Sequence, residues 1–76
     1  MSRRDLGATI RRLREAAGLT QDELGQRARL SRIYVQKLEL GERESPSFPA
    51  LERIARALNA ALVVDLKARR EGRHGR

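Results

Sequence analysis

The sequence predicts an all-α domain of four helices, followed by a short β-strand close to the C-terminus. Apolar residues recur at steps of three and four through most of the 76 residues, which is typical of helices with one buried face. Hydroxyl residues that can cap helix N-termini precede these stripes, and glycines follow several of them. With 39% hydrophobic residues, the chain can form one small core, so we expect a single domain.

Two helices are predicted before residue 30. The first ends at Gly18, because glycine readily adopts the left-handed conformation that closes a helix. Thr20 begins the second, since T-Q-D-E fits a capping box in which Thr20 and Glu23 bind each other's backbone N–H groups. The buried stripe of the first helix comprises Leu6, Ile10, Leu13 and Ala17.

Two further helices are predicted between residues 31 and 60. Ser31 is the N-cap of a third helix that continues through Leu40 and stops at Gly41. A polar loop follows, and a fourth helix begins at Ser47 or Phe48, with a proline tolerated in its first turn. The buried stripe of the fourth helix comprises Leu51, Ile54, Ala55 and Leu58.

The segment over residues 61–68 is predicted to form a strand, because Leu62, Val64 and Leu66 alternate with other residues and two valines are adjacent. A helix is the alternative, since Leu58, Leu62 and Leu66 are also four residues apart. A lone strand would expose a backbone edge, which the same strand of a second copy could cover. We therefore expect Leu62, Val64 and Leu66 to form a dimer interface, with burial in the monomer core as the alternative.

The charge of the chain is unevenly distributed. Its formal net charge is +7. Nine basic and four acidic residues give residues 1–38 a net charge of +5, whereas residues 39–60 carry −1 and residues 61–76 carry +3. Such a balance favours a polyanionic partner, either nucleic acid or an anionic membrane. A membrane is not expected as a partner, because the first predicted helix has too few bulky apolar anchors for a membrane surface. We expect residues 1–5 to form a flexible basic arm, residues 6–60 the helical domain, residues 61–68 the dimerisation strand and residues 69–76 a flexible basic tail.

Several classes of protein are excluded by composition. The chain has no cysteine, and His74 is its single histidine, so disulfides, thiolate metal sites and a catalytic triad are not expected. We expect no enzyme activity, no metal and no cofactor. The sequence also lacks an apolar run long enough for a membrane span and a signal peptide, which predicts a soluble, cytoplasmic protein.

The third predicted helix carries side chains that its own packing does not require. Arg32, Ile33, Gln36 and Lys37 would face outward near its N-terminus. A helix fits the major groove of double-stranded DNA, where arginine or lysine can bind guanine, glutamine can bind adenine and an apolar side chain can contact the thymine methyl group. The inner side of this helix is expected to pack in the core, through the apolar residues Leu24, Ala28, Leu30, Val35 and Leu38.

Residues from about 6 to 60 resemble the lambda-repressor-like helix-turn-helix family, also called the Cro or XRE type. The resemblance rests on the segments IRRLREAAGLTQDEL, ARLS, LELG and LERIARALN. It implies a domain of four to five helices that binds operator DNA as a dimer, with the third helix in the groove. It also implies an inward ion pair between Arg14 and Glu39. Four residues are expected to contact DNA phosphates, namely Gln21, Ser31, Tyr34 and Arg43.

Three residues depart from the pattern of that family. Gly25 stands inside the second helix at a position where alanine is common in the family. A glycine there is expected only if another backbone passes very close. Arg29 occupies a turn position that usually has glycine, so it is expected to carry a positive φ. Leu40 stands where a polar residue is common, and we expect part of it to be exposed.

The sequence and this resemblance thus predict a transcriptional regulator, a repressor, that binds double-stranded DNA in a sequence-specific manner as a homodimer on a near-palindromic operator. The C-terminal segment LNAALVVDLKARR is similar to the strand-ended domains of HipB-type antitoxins. This similarity implies an alternative function, an antitoxin that binds a partner toxin and represses its own operon. Both hypotheses share the DNA-binding helices.

Overall fold

The computed structural model describes residues 2–43 and 46–74, and every regular element in these ranges is a helix. The four helices are α1 (Arg3–Ala16), α2 (Gln21–Ala28), α3 (Arg32–Glu39) and α4 (Phe48–His74). Helices α2 and α3 pack against each other, α4 packs against α2, and α1 packs against α3. Because α4 has 27 residues, it is about 40 Å long, and its second half extends away from the other helices.

Hydroxyl side chains cap the first three helices. The capping box predicted at Thr20 is present: the Glu23 backbone N–H donates to Thr20 Oγ1 at 3.0 Å, and the Thr20 N–H donates to a Glu23 carboxylate oxygen at 2.9 Å. These hydrogen bonds with Thr20 lower the pKa of Glu23. Ser31 caps α3 by accepting the Tyr34 backbone N–H at 3.0 Å.

Helix α1 begins earlier than the sequence predicted. Ser2 and Asp5 form a second capping box, so α1 starts at Arg3 and includes most of the segment expected to be a flexible arm. At the other end, α4 continues to His74 and includes residues 69–74 of the expected flexible tail. Residue 1 of that arm and residues 75 and 76 of that tail lie outside the described residues.

The core lies between the apolar faces of all four helices. Leu24, Ile54 and Val35 are its largest fully buried side chains. The stripe predicted for α4 is rotated in the structure, where Ala55 is exposed and Leu51 is only half-buried. The difference arises because α4 presents a longer stripe at steps of four, three and four to its neighbours. That stripe comprises Ala50, Ile54, Ala57 and Ala61.

Close backbone contacts explain two glycines inside helices. A Cβ atom on Gly25 would lie 2.5 Å from the Leu30 carbonyl oxygen, and one on Gly7 would lie 2.6 Å from the Glu39 carbonyl oxygen. The close approach expected at Gly25 is therefore confirmed, and it brings the start of α3 directly against α2. Arg29 ends α2 with φ of 60°, as expected from its place in the turn.

The predicted strand over residues 61–68 is wrong, because this segment continues α4 as a helix. Neither glycine nor proline interrupts the chain after Pro49 until Gly72, so the helix propagates past the adjacent valines. The structure therefore follows the helical spacing of Leu58, Leu62 and Leu66 and not the strand-like alternation of Leu62, Val64 and Leu66. In a helix Leu62 and Leu66 share a face, whereas Val64 points elsewhere, so the three cannot form the strand interface that was predicted.

Candidate nucleic-acid interface

Helix α3 presents one exposed, largely polar face. Arg32, Ile33, Gln36 and Lys37 are all exposed, and Ile33 keeps 53% of its surface accessible. At 100° per residue these four positions lie within an arc of about 140° on the helix. Val35 and Leu38 lie outside that arc and are buried against the core. The structure therefore brings the four predicted base-contacting residues together on one surface.

Buried polar contacts hold α3 from behind. The Arg14 guanidinium meets the Glu39 carboxylate at two points, with Nε to Oε2 at 2.6 Å and a terminal nitrogen to Oε1 at 3.0 Å. A further Arg14 nitrogen donates to the Leu19 carbonyl oxygen at 2.8 Å. The Glu39 side chain is 2% exposed, and hydrogen bonding to it raises the pKa of Arg14. This arrangement joins α1 to the C-terminal end of α3 with every buried polar group in these contacts satisfied.

Gln21 takes part in the same network. Its side-chain nitrogen donates to Glu39 Oε1 at 3.1 Å, and its side chain is half-buried at the N-terminus of α2. An amide nitrogen carries two hydrogens, so Gln21 keeps one donor for a further acceptor. The sequence predicted Gln21 as a phosphate contact, and the structure adds a link between α2 and α3 that sequence reasoning missed.

Tyr34 and Arg43 lie in contact at the edge of the α3 face. The Arg43 guanidinium carbon is 4.2 Å from the centroid of the Tyr34 ring, which is a cation–π geometry. Tyr34 is half-buried and Arg43 is exposed. Because Ser31 accepts the Tyr34 N–H, its own hydroxyl hydrogen can still donate. Three of the predicted phosphate-contacting residues, namely Ser31, Tyr34 and Arg43, are therefore neighbours.

Leu40 and Phe48 are exposed apolar residues at helix ends, and Arg53 links α4 to α2. Leu40, at the C-terminal end of α3, is 53% exposed, in agreement with the expectation that part of it faces solvent. Phe48 is 75% exposed at the start of α4, and no pattern in the sequence indicated this. Arg53 of α4 donates from Nε to the Ala28 carbonyl oxygen at 2.8 Å, a contact that sequence reasoning missed because a backbone acceptor leaves no signal in a sequence.

In the part of the chain that the structure describes, histidine and acidic side chains form no group of three that could bind a metal ion. None of its helices combines the length and apolar character required to cross a membrane.

Comparison with known proteins identifies the family of this chain. A model of a helix-turn-helix domain matches residues 5–67, a span that contains α2 and α3 with the turn between them. An uncharacterized HTH-type transcriptional regulator from Methanothermobacter thermautotrophicus is 44% identical over 57 residues, which are 75% of this chain and 81% of that protein. These two matches show the family, and the exposed outer face and buried inner face of α3 agree with it. The chain belongs to the helix-turn-helix family.

Proposed function

We propose that this protein is a transcription regulator that binds double-stranded DNA in a sequence-specific manner, acting as a homodimeric repressor of the lambda-repressor-like type. The observation that carries the proposal is the exposed face of α3, a helix whose opposite face is fixed by the core and by Arg14 and Glu39. Membership of the helix-turn-helix family and the transcriptional regulator from Methanothermobacter thermautotrophicus support it.

In this proposal α3 enters the major groove and its four outward residues contact base edges. The amide of Gln36 can bind the N6 and N7 atoms of adenine at two points, and Arg32 or Lys37 can donate to O6 and N7 of guanine. Ile33 can pack against a thymine methyl group. Each residue is exposed in the free protein, so binding requires no rearrangement of the core.

Phosphate contacts would fix the position of α3 in the groove. Arg43, held over the Tyr34 ring, can bind a phosphate by charge, and the hydroxyl groups of Ser31 and Tyr34 can donate hydrogen bonds to neighbouring oxygens. Gln21 can add its remaining amide hydrogen at the N-terminus of α2, where the helix dipole also favours an anion. These contacts carry no sequence information and set only the register of the protein on DNA.

The second half of α4 supports the dimer in this proposal. Val63, Val64 and Leu66 are 53%, 67% and 64% exposed, which is unusual for a run of large apolar side chains on a small domain. Leu62 and Leu66 share one helical face, and a two-fold partner could cover it with the same face of its own α4. The two α3 helices of such a dimer would read half-sites about 34 Å apart. The antitoxin alternative, in contrast, loses the strand on which its resemblance depended.

Selection from random duplex DNA tests this function. The purified protein is incubated with the duplex pool at about 0.15 M salt, where unspecific binding is weakened, and bound duplexes are sequenced after several rounds. The proposal predicts enrichment of an inverted repeat whose half-sites are one helical turn apart. A pool that stays random would contradict sequence-specific reading by this chain alone: the protein would bind DNA by charge only, or a partner chain would have to complete the reader. A single unrepeated site would contradict the two-fold dimer.

A further inference from the structure

A groove lined by four arginines lies between the C-terminal end of α2 and the middle of α4. Its volume is about 520 Å³, and it is open to solvent along one side. We call it the four-arginine groove. Its lining residues are Arg27, Arg29, Arg53, Arg56, Ala57 and Ala60.

The positive charge of this groove is only partly neutralised. Glu23, one turn before Arg27 on α2, interacts with Arg27 electrostatically. Within the described residues, only Arg56 has a carboxylate within salt-bridge distance, since its terminal nitrogen lies 3.8 Å from Glu52. That pair is a weak surface contact, because the Arg56 side chain is 80% exposed. Four guanidinium groups in one depression repel one another, so an anionic ligand would relieve the repulsion as well as make new contacts.

One of these arginines is already held in position. Arg53 Nε donates to the Ala28 carbonyl oxygen at 2.8 Å, at the negative end of the α2 dipole. Fixing Nε restricts the rotation of the guanidinium group, while the two terminal nitrogens remain available as a fork for a carboxylate. The groove therefore combines one ordered arginine with three exposed ones.

The groove is separate from the proposed base-reading face. It is lined by residues of α4 and of the C-terminal end of α2, and none of the residues assigned above to DNA bases or phosphates contributes to it. Its charge is thus not explained by the proposed DNA contacts. A basic surface outside the reading face indicates a second anionic partner.

The shape of the groove selects among anionic ligands. Its α4 residues lie at positions 53, 56, 57 and 60, a stripe about 10 Å long on one face of the helix. A single phosphate ion spans much less than that, so an extended ligand with several negative groups fits better. None of the described residues that line the groove is aromatic, which disfavours stacking of nucleic-acid bases. The alanines provide a shallow apolar floor on which the methylene groups of glutamate side chains can rest.

We propose that the four-arginine groove binds an acidic peptide segment of a partner protein. Carboxylates of the segment would pair with Arg27 and Arg29 on one wall and with Arg53 and Arg56 on the other. A regulator positioned by α3 could then contact another protein through residues that are not assigned to DNA contacts. This inference goes beyond the proposed function and does not require it, because peptide binding can be measured without DNA.

A labelled peptide tests the proposal. The probe is a fluorescein-labelled 12-residue peptide of glutamate and alanine, and its control is the same peptide with glutamine in place of glutamate. The groove variant is Arg27→Gln with Arg56→Gln, because neither side chain supports the core. The matched control variant is Arg12→Gln with Arg70→Gln, which removes two exposed charges outside the groove. Binding is followed by fluorescence anisotropy, and circular dichroism checks that both variants are folded.

The proposal predicts that the glutamate peptide binds, that the glutamine peptide does not, and that the groove variant binds about tenfold more weakly than the wild type. The control variant should lose less than about twofold, as expected from net charge alone. If both variants lost peptide affinity to the same extent, the proposal would be overturned, because the affinity would then depend on the net charge of the protein and not on the groove. A groove variant that keeps its peptide affinity but loses far more DNA affinity than the control would instead make the groove part of the DNA surface.

Discussion

Arg14 and Glu39, which are 25 residues apart in sequence, form a two-point ion pair between α1 and the C-terminal end of α3. Both side chains are largely buried, at 11% and 2% exposure. Arg14 also donates to the Leu19 carbonyl oxygen, and Gln21 donates to the same carboxylate, so four separate segments meet at this point. The pair thereby fixes the orientation of the helix whose outer face is proposed to read DNA.

Removal of Arg14 should destabilise the fold strongly. The substitution Arg14→Ala would leave the Glu39 carboxylate buried without its cation, and we expect a loss of about 3–5 kcal/mol in the free energy of unfolding. Chemical denaturation followed by circular dichroism measures this loss. Arg11→Ala is the matched control, because it removes an exposed pair with Glu15 that contributes at most about 0.5 kcal/mol. If both variants unfolded at the same denaturant concentration, the buried pair would not have the role assigned to it.

Gly25→Ala should also lower stability, although alanine is the better helix former. The gain in helix propensity is about 1 kcal/mol, but the new Cβ would lie 2.5 Å from the Leu30 carbonyl oxygen. Overpacking against backbone costs about 1–3 kcal/mol, so we expect a net loss in a thermal melt. Gln26→Ala, at an exposed neighbouring position on α2, should leave the melting temperature nearly unchanged. A more stable Gly25→Ala variant would contradict the close packing of α2 against the start of α3.

Arg43→Ala should weaken binding to all duplexes to the same extent. Arg43 lies over Tyr34 rather than on the outward arc of α3, so we assign it to a phosphate. Losing one phosphate contact should reduce the slope of log affinity against log salt by about 1 per subunit. Titrations at several salt concentrations measure the slope, with Arg12→Ala as a control at an exposed position of α1. A loss confined to duplexes with one particular base pair would instead assign Arg43 to base recognition.

Leu66→Ser should weaken the proposed dimer. Leu66 is 64% exposed in the isolated chain and would be covered twice, once in each subunit of a two-fold dimer. Burying a leucine contributes about 1.5–3 kcal/mol, so the dissociation constant of the dimer should rise by at least tenfold. Analytical ultracentrifugation over a range of concentrations measures it. Phe48→Ser, which removes a still more exposed apolar residue at the other end of α4, should leave the dimer intact. A wild type that stays monomeric would exclude this interface.

Most of the first 60 residues could be predicted because local signals agree with the packing. Thr20 and Ser31 mark helix starts by chemistry that acts within three residues, and the positions of Val35 and Leu38 fix which side of α3 is buried. The outward positions of Arg32 and Gln36 then follow from helical geometry alone. Ser2 and Asp5 carry the same local signal as Thr20 and Glu23, and the prediction of a flexible arm missed it: α1 begins at Arg3.

The segment after Ala60 was mispredicted because its local signals conflict. Two valines and an alternation at Leu62, Val64 and Leu66 favour a strand, whereas continuation of a helix already formed through Leu58 requires no new nucleation. Contacts such as that of Arg53 with the Ala28 carbonyl oxygen depend on how α4 crosses α2, which no local pattern specifies. The four-arginine groove depends on the same crossing and could not be predicted either.

The central claim is that the outer face of α3 reads bases, and Gln36 tests it most directly. The affinities of the wild type and of Gln36→Ala are measured by anisotropy for the selected duplex and for every single base-pair change in one half-site. Gln26→Ala serves as the control, because it removes an exposed glutamine from α2. We predict that Gln36→Ala loses about 1–3 kcal/mol and no longer distinguishes the base at one position, while all other preferences persist. If Gln36→Ala lost the same affinity on all duplexes, Gln36 would contact a phosphate and not a base. If the wild type bound every duplex equally, α3 would not be the reading helix.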